Sequence, residues 1–344
     1  MTYLAGTLVL EIKAGAPNNG RGEDNTAMVK STKVGHKTYP YVSAQALRRW
    51  WRDSLPDTEP RSPVHRKGKG RGQEAQQAYT SGRGDQFLDD DLFGYMVAEK
   101  KEHVNRDTAL AVGTAMSVAP RSITHDFGTM SRGFEMSQNP VLHEHQHYTG
   151  DLASPLLLDL PRVGTFEYEG RGNHPDLGAK ALAEARETGA AEVAFRDTRA
   201  VQLDIGERRR RVAVLLRTLA QLRGGAKNSL HYGDRSPALV LLAPFKGGNN
   251  PFTRVVRADA KGDTLVDTEV LWEEMGAWED ELDGPVLLGW APGYLPEQRQ
   301  QAREDLAELI TADTVRIEHP RVLLRTLAEQ FEQGEHDSWF EDPR

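Results

Sequence analysis

Two short stretches decide the architecture: residues 3–13, YLAGTLVLEIK, and residues 43–54, SAQALRRWWRDS. In the first, Leu4, Leu8, Leu10 and Ile12 share one parity while Thr7, Glu11 and Lys13 share the other, the pattern of a half-buried strand. In the second, Ser43 has the chemistry of an N-cap for a helix over 44–54. Ala44, Leu47, Trp50 and Trp51 form its apolar face, and Gln45, Arg48, Arg49 and Arg52 project elsewhere. The segment between them, GAPNNGRGEDNTAMVKSTKVGHKTYP, is too rich in Gly and Asn for a core element and reads as a long polar loop.

Working outward, Leu55–Gln86 is dominated by Pro, Gly, Arg and Gln and reads as an exposed, partly mobile insertion. A short helix around Asp90–Val97 is expected to re-enter the core with Leu92, Phe93, Tyr95 and Met96. Thr108–Ala119 reads as a strand of small residues. Arg121–Gly150 has no periodicity and is expected to be a long excursion, after which Leu152–Thr165 returns as a strand. Ala179–Thr188 reads as a short helix. A longer helix starts at Ile205 behind a capping box of Asp204 and Glu207 and carries the stripe Val212, Leu215, Leu216, Leu219 and Leu222. Gly224-Gly225 stops it. Pro237–Pro244 is a continuous apolar run, a buried strand.

The order strand, helix, strand, strand, helix, strand is that of an α+β, ferredoxin-like, RNA-recognition-type unit. Large insertions follow its first helix and separate its middle strands. Beyond residue 245 an extension holds a strand near Val286–Trp290 and helices near Pro296–Ile310 and Arg321–Phe331.

Composition narrows the function. The 344 residues amount to about two domains. Cysteine is absent, which excludes disulfide scaffolds, Cys-based zinc sites and thiol catalysis. No apolar run approaches the roughly 18 residues of a membrane span, and the N-terminus lacks the pattern of a secretory signal, so a cytoplasmic protein is expected. The net charge is −8, yet Ala258–Arg344 holds 7 basic and 22 acidic residues, which leaves the rest of the chain at +7. Arg61–Gly84 alone has six basic residues against one acidic. A basic body with an acidic C-terminal quarter can hold a polyanion on one face and repel it from another.

Several candidate sites follow. Asn18, Asn19, Gly20, Arg21, Gly22 and Asn25 combine turn glycines with side chains that hold phosphates and 2′-hydroxyls, though the same composition suits an ordinary flexible loop. The Gln45, Arg48, Arg49, Arg52 face is either solvated or the wall of a concave anionic-backbone site. Arg208-Arg209-Arg210-Arg211 opposes the dipole at a helix N-terminus; a phosphate, solvent or the nearby Asp204 and Glu207 would relieve the conflict, with the solvated reading slightly favoured. Gly224, Gly225, Ala226 and Lys227 lack the ending of a Walker loop and are either a helix cap or a backbone grip. His143-Glu144-His145-Gln146-His147 matches the zinc-protease spacing, but Asn139-Pro140 and Thr149-Gly150 leave little room for the required helix. No metal or other cofactor is therefore expected. The aromatic motif of RNA-recognition sheets is missing, so loops must do the holding.

In order along the chain come NNGRGEDNTAMVK, SAQALRRWWR, DDLFGYM, SVAPRSITHDFGTM, EHQHYTGDLASPLLLDLPRVGTF and GGAKNSLHYGDRSPALVLLAP. This ordered set resembles the DevR-like branch of the Cas-seven family, the repeated backbone subunit of type I CRISPR Cascade complexes, of type I-B-like kind. The resemblance covers roughly residues 1–245; neither the Arg61–Gly84 insert nor the acidic extension takes part in it. It implies a hand-shaped, non-catalytic subunit. Its palm comprises 1–54, 88–120, 150–165 and 200–245, its fingers 55–87 with parts of 166–199, and its thumb 121–149. The acidic extension, 246–344, is expected to pack on the palm.

Copies would stack along a guide crRNA beside other Cascade subunits and present its bases to a target DNA strand, with no membrane involved. The resemblance implies RNA contacts at Asn18, Asn19, Arg21 and Asn25, at Ser43, Gln45, Arg48 and Arg49, and at Gly224, Gly225, Ala226 and Lys227. Met130 and Phe134 are the implied thumb wedge between bases. Two enzymatic alternatives stand beside this one. Type III relatives cut RNA with an acidic residue after the first strand, where Asp24 lies here, and the His143–His147 cluster is the alternative metalloenzyme site.

Overall fold

A computed structural model of the chain describes residues 1–21, 27–67, 77–99, 102–130, 133, 141–169 and 174–342. The first strand, β1 (Tyr3–Gly15), leads into two hairpins, β2 (Asn19–Arg21) with β3 (Ala27–Val29), and β4 (Ser31–Val34) with β5 (Lys37–Val42). The helix α1 (Ala44–Ser54) follows. The insertion holds β6 (His65–Lys67) and β7 (Gln77–Tyr79), and then comes α2 (Leu88–Phe93). A hairpin of β8 (Tyr95–Glu99) and β9 (Glu102–Arg106) precedes the short strands β10 (Leu110–Val112) and β11 (Ala115–Ser117). Next are β12 (Thr124–Met130) and the long strand β13 (Val141–Asp159).

A small sheet of β14 (Thr165–Glu167), β15 (Ala191–Phe195) and β16 (Thr198–Gln202) carries α3 (Ala179–Glu187). The helix α4 (Ile205–Leu219) and β17 (Leu239–Phe245) lead to the C-terminal region. There β18 (Val256–Ala258), β19 (Thr264–Val266), α5 (Thr268–Ala277), β20 (Val286–Trp290), α6 (Pro296–Asp305), α7 (Ala307–Thr311), β21 (Val315–Glu318) and α8 (Pro320–Gln333) complete the chain. Among the described residues, no helix is long and apolar enough to cross a membrane.

The main sheet runs β21-β20-β17-β1-β13-β11-β5-β4, antiparallel except where β20 meets β21, and β10 and β12 also pair with β13. Along the chain its middle strands and their helices follow the order β1, α1, β10/β11, β13, α4, β17. Gly6 fits the centre of β1 because a Cβ there would lie 1.8 Å from the Leu241 carbonyl oxygen of β17.

Parity on β1 behaves as its sequence dictates on one side only. Leu4, Leu8, Leu10 and Ile12 bury against α1, α4 and α8. The opposite parity is buried too: Ala5 and Val9 sit in a second core with Phe252, Leu271, Ala302 and Leu306 of the C-terminal region. The sequence of β1 alone cannot announce that cover, because Ala5 and Thr7 are compatible with either solvent or a lid.

Several local expectations change. The polar segment after β1 is not a free loop: β5 pairs with β11 through Val42↔Ala115 and Tyr41↔Met116, and buries Pro40 and Val42. Gly94, at φ 70°, ends α2, so Tyr95 and Met96 belong to β8, and Met96 is exposed. Thr108–Ala119 is two strands broken at Gly113. The excursion from Arg121 is a regular hairpin, β12 against the outer half of β13, in register from Thr124↔His147 to Met130↔Val141. It carries a core strand outward past the sheet edge, and its polar faces hid the period-two signal.

The Arg208–Arg211 run is not a free solvated face: Arg208 and Arg211 are buried, and Arg209 and Arg210 are half-exposed but paired. Arg208 donates to the carbonyls of Pro161, Val163 and Phe340, and burial lowers its pKa to about 10. Arg211 donates to Asp91 Oδ2 at 2.7 Å and to Glu207. Arg209 pairs with Asp337, and Arg210 with Glu207 and Glu59. Asp89, Asp90 and Asp91 are all buried in α2. Asp89 takes Arg52, Asp90 takes Ser62, and Asp91 takes Arg106, Arg211 and the Gly164 N–H. An acidic triplet in sequence thus acts as an internal staple between the insertion, α4 and β14.

Candidate nucleic-acid interface

The interface is built where three distant segments meet. Ser43 caps α1, its Oγ accepting from the Ala46 N–H at 3.3 Å. Two turns on, the buried Trp50 ring lies under Gly224: a Cβ at that glycine would fall 2.6 Å from the ring. Gly224, Gly225 and Lys227 have φ of 135°, 99° and 56°. Glycine adopts the first two freely, whereas Lys227 holds a left-handed conformation at some cost. The loop is tied to the end of β1 by Ala226 N–H donating to the Pro17 carbonyl at 2.8 Å. Among the described residues, the N–H groups of Gly225 and Lys227 are left without a protein acceptor.

Next to Pro17 stands the β2–β3 hairpin. The Asn18 carbonyl accepts from Lys30 N–H, and the Lys30 carbonyl accepts from Tyr41 N–H, two residues before the α1 cap. Asn18 is buried, and its Nδ2 and the Oδ1 of Asn19 have no hydrogen-bond partner among the described residues. Arg21 is placed by its backbone in β2, opposite Ala27. Asn25 and Asp24 lie outside the described residues, as does Phe134. Met130 closes β12 opposite Val141.

The expected helix face divides. Arg49 is bound to Asp53 at 2.7 Å, and Arg52 to Asp89 with its guanidinium over Phe93. Only Gln45 and Arg48 remain uncommitted, and Arg48 makes no ion pair among the described residues. The solvated reading is therefore replaced by an intramolecular one for Arg52, whereas Arg49 stays exposed with Asp53 as its partner.

Histidines complete the surface, on a strand where the sequence suggested an irregular loop. His143-Glu144-His145-Gln146-His147 lies on a strand, so its histidines share one parity at two-residue spacing instead of sitting one helical turn apart. Among the described residues, no cluster of three metal-ligating side chains exists. Instead Lys227 Nζ donates to His145 Nδ1 at 2.7 Å, and the rings of His147 and His231 are 5.5 Å apart. Gln146 accepts from the Val29 N–H at 2.9 Å and so pins the β2–β3 hairpin to β13. His231 titrates below its ordinary value, because burial and then His147, His145 and Lys227 disfavour its charge.

The surface thus offers the Arg48 guanidinium, backbone N–H groups and imidazole rings, which suit a phosphate backbone. Two solved chains share the fold over almost the full length. Both come from CRISPR RNA-guided surveillance complexes. The first is 14% identical, with 95% of this chain and 98% of that one covered and a TM-score of 0.53. The second, from a complex described as pre-nicking, is 14% identical, covers 96% and 100%, and has a TM-score of 0.52. No protein-family model and no curated protein matches this chain. At that identity the likeness is one of fold.

Proposed function

We propose that this chain is a repeated, non-catalytic backbone subunit of a type I CRISPR Cascade effector, of type I-B kind. It sheathes the guide crRNA and leaves its bases free to pair with a target DNA strand. The observation that carries this reading is the meeting of α1, through Trp50, with the Gly224–Lys227 turn and Pro17, beside an Arg48 that makes no ion pair among the described residues. The ordered sequence segments and the fold likeness along the whole chain support it.

In this reading the β17-β1-β13-β10/β11 order, with α1 and α4 on one face, is a ferredoxin-like palm. Residues 55–87, with 166–199, are the fingers, and the β12–β13 hairpin is the thumb that reaches a neighbouring copy. The palm face that would hold stacked bases in an RNA-recognition domain lies under the C-terminal region. Holding therefore falls to loops and reads backbone, while pairing reads sequence.

Purification with the products of neighbouring genes, negative-stain imaging and extraction of bound nucleic acid tests it. A curved filament holding RNA of one length is expected. A monomer free of RNA would overturn the assignment.

A further inference from the structure

Outside the surface just described, the outer edge of one face of the main sheet carries two half-buried tyrosines, Tyr39 and Tyr41, beside the exposed Lys37. The C-terminal region lies over β1, β13, β17, β20 and β21, and it reaches Arg121, which donates to the Gly262 carbonyl. Beyond that point β5 presents Lys37, Tyr39 and Tyr41 on the face away from the helices, since Pro40 and Val42 are the buried parity. Tyr41 stands opposite Met116, which is 44% exposed, and beside Lys30 of the adjacent hairpin. At about 3.3 Å per residue, the two tyrosines are roughly 7 Å apart along the strand.

Charge marks this face as well. From Ala27 to Arg52 the chain has no Asp or Glu, and six Lys or Arg. Among the described residues, neither Lys30 nor Lys37 makes an ion pair, whereas most arginines of the body do. At the far end, His36, Lys37 and Arg121 line a cleft of about 320 Å3 that has no carboxylate in its wall. The near end is continuous with the β2–β3 hairpin, because the Lys30 stem passes Gly20.

We infer that the Lys37–Tyr41 face is a stacking platform for single-stranded RNA, with Tyr39 and Tyr41 as base supports and Lys30 and Lys37 as phosphate partners. Aromatic rings at strand spacing beside unpaired lysines hold bases without reading them. The aromatics sit on an added strand, not on the two central ones, which is why no RNA-recognition motif announces them. The inference rests on the reading of the chain as an RNA-binding subunit and extends the RNA path past the β2–β3 hairpin.

The test is binding of a fluorescent single-stranded RNA oligonucleotide to the full chain. Tyr39→Ala with Tyr41→Ala is expected to weaken binding by roughly 5- to 100-fold, and the Tyr→Phe pair to stay within about threefold of wild type. The same loss is expected in an Arg48→Ala, Lys227→Ala background. Lys37→Glu, on an exposed side chain, is expected to weaken binding with an unchanged melting temperature. Unchanged affinity in the Tyr→Ala pair, or equal damage from Tyr→Phe, overturns the platform. RNA of one length in the purified complex, insensitive to the tyrosines, sinks this inference alone. An RNA-free monomer that binds the oligonucleotide through Tyr39 and Tyr41 sinks the guide role and leaves the platform standing.

Discussion

The cations of this molecule fall into two populations. Around α2 and α4, Arg106 and Arg211 are buried and charge-paired, and Arg208 is buried among carbonyls. Around the α1 cap and β5, Arg48, Lys30 and Lys37 lie closer to solvent and make no ion pair among the described residues. The sequence displays the first population as a conspicuous run and scatters the second. Linear density of charge therefore marks structure here, and the absence of a partner marks the candidate interface. A buried guanidinium is held only if carboxylates and carbonyls surround it, whereas a cation awaiting phosphate must have none nearby.

The contrast is broken most severely at Asp91. Its carboxylate takes Arg211 at 2.7 Å, Arg106 and the Gly164 N–H, all away from water. Asp91→Asn leaves two buried guanidinium groups undercompensated. A loss of about 3–5 kcal/mol is expected in denaturant unfolding. A loss below about 1 kcal/mol would mean that water enters the cluster and the two populations are less distinct than the geometry says.

A smaller effect is expected in the second population, and on binding instead of folding. Arg48→Ala with Lys227→Ala should leave the melting temperature nearly unchanged and weaken guide RNA binding by about 10- to 100-fold. The slope of log affinity against log salt should fall by about 1.4 if each residue contacts one phosphate of a single strand. Arg49→Ala is the internal comparison. Its partner is Asp53 on the same exposed helix face, so it should change stability by about 0.3–0.5 kcal/mol and binding little. Equal losses in Arg48 and Arg49 variants would erase the distinction between committed and uncommitted arginines.

Much of the scaffold was legible. The strand at 3–13, the Ser43 cap, the Asp204 cap and the apolar run 237–244 each carry a local signal that tertiary context reinforces. Other features carry no local signal, because they are pairings between distant segments. Asp89–Asp91, Arg208–Arg211 and His143–His147 each have their partners far away in sequence, so their burial or pairing is a property of the fold alone. At the interface, the Gly224–Lys227 turn was legible from its glycines. The tie of Lys227 to His145 and the split between Arg48 and Arg49 were not, because both depend on neighbours brought in by β13 and by Asp53.

The finest test of the interface uses its histidines. His231 is disfavoured as an imidazolium by burial and by His147, His145 and Lys227, and only Asp126 opposes them. In the free chain its folded pKa is therefore depressed. The stability it contributes is present above the ordinary histidine value and is lost as pH falls through the depressed one. A phosphate at this surface reverses the preference, since it stabilises the charged ring. Guide affinity should therefore rise several-fold as pH falls from about 7 to about 5.5, while the free chain loses stability over the same range. His231→Asn should flatten both trends and leave affinity at pH 8 close to that of the parent chain. An affinity that ignores pH in the parent, or a trend that survives in the variant, would place the phosphate path away from Lys227 and His231, with Arg48 and the β2–β3 hairpin as its remaining anchors.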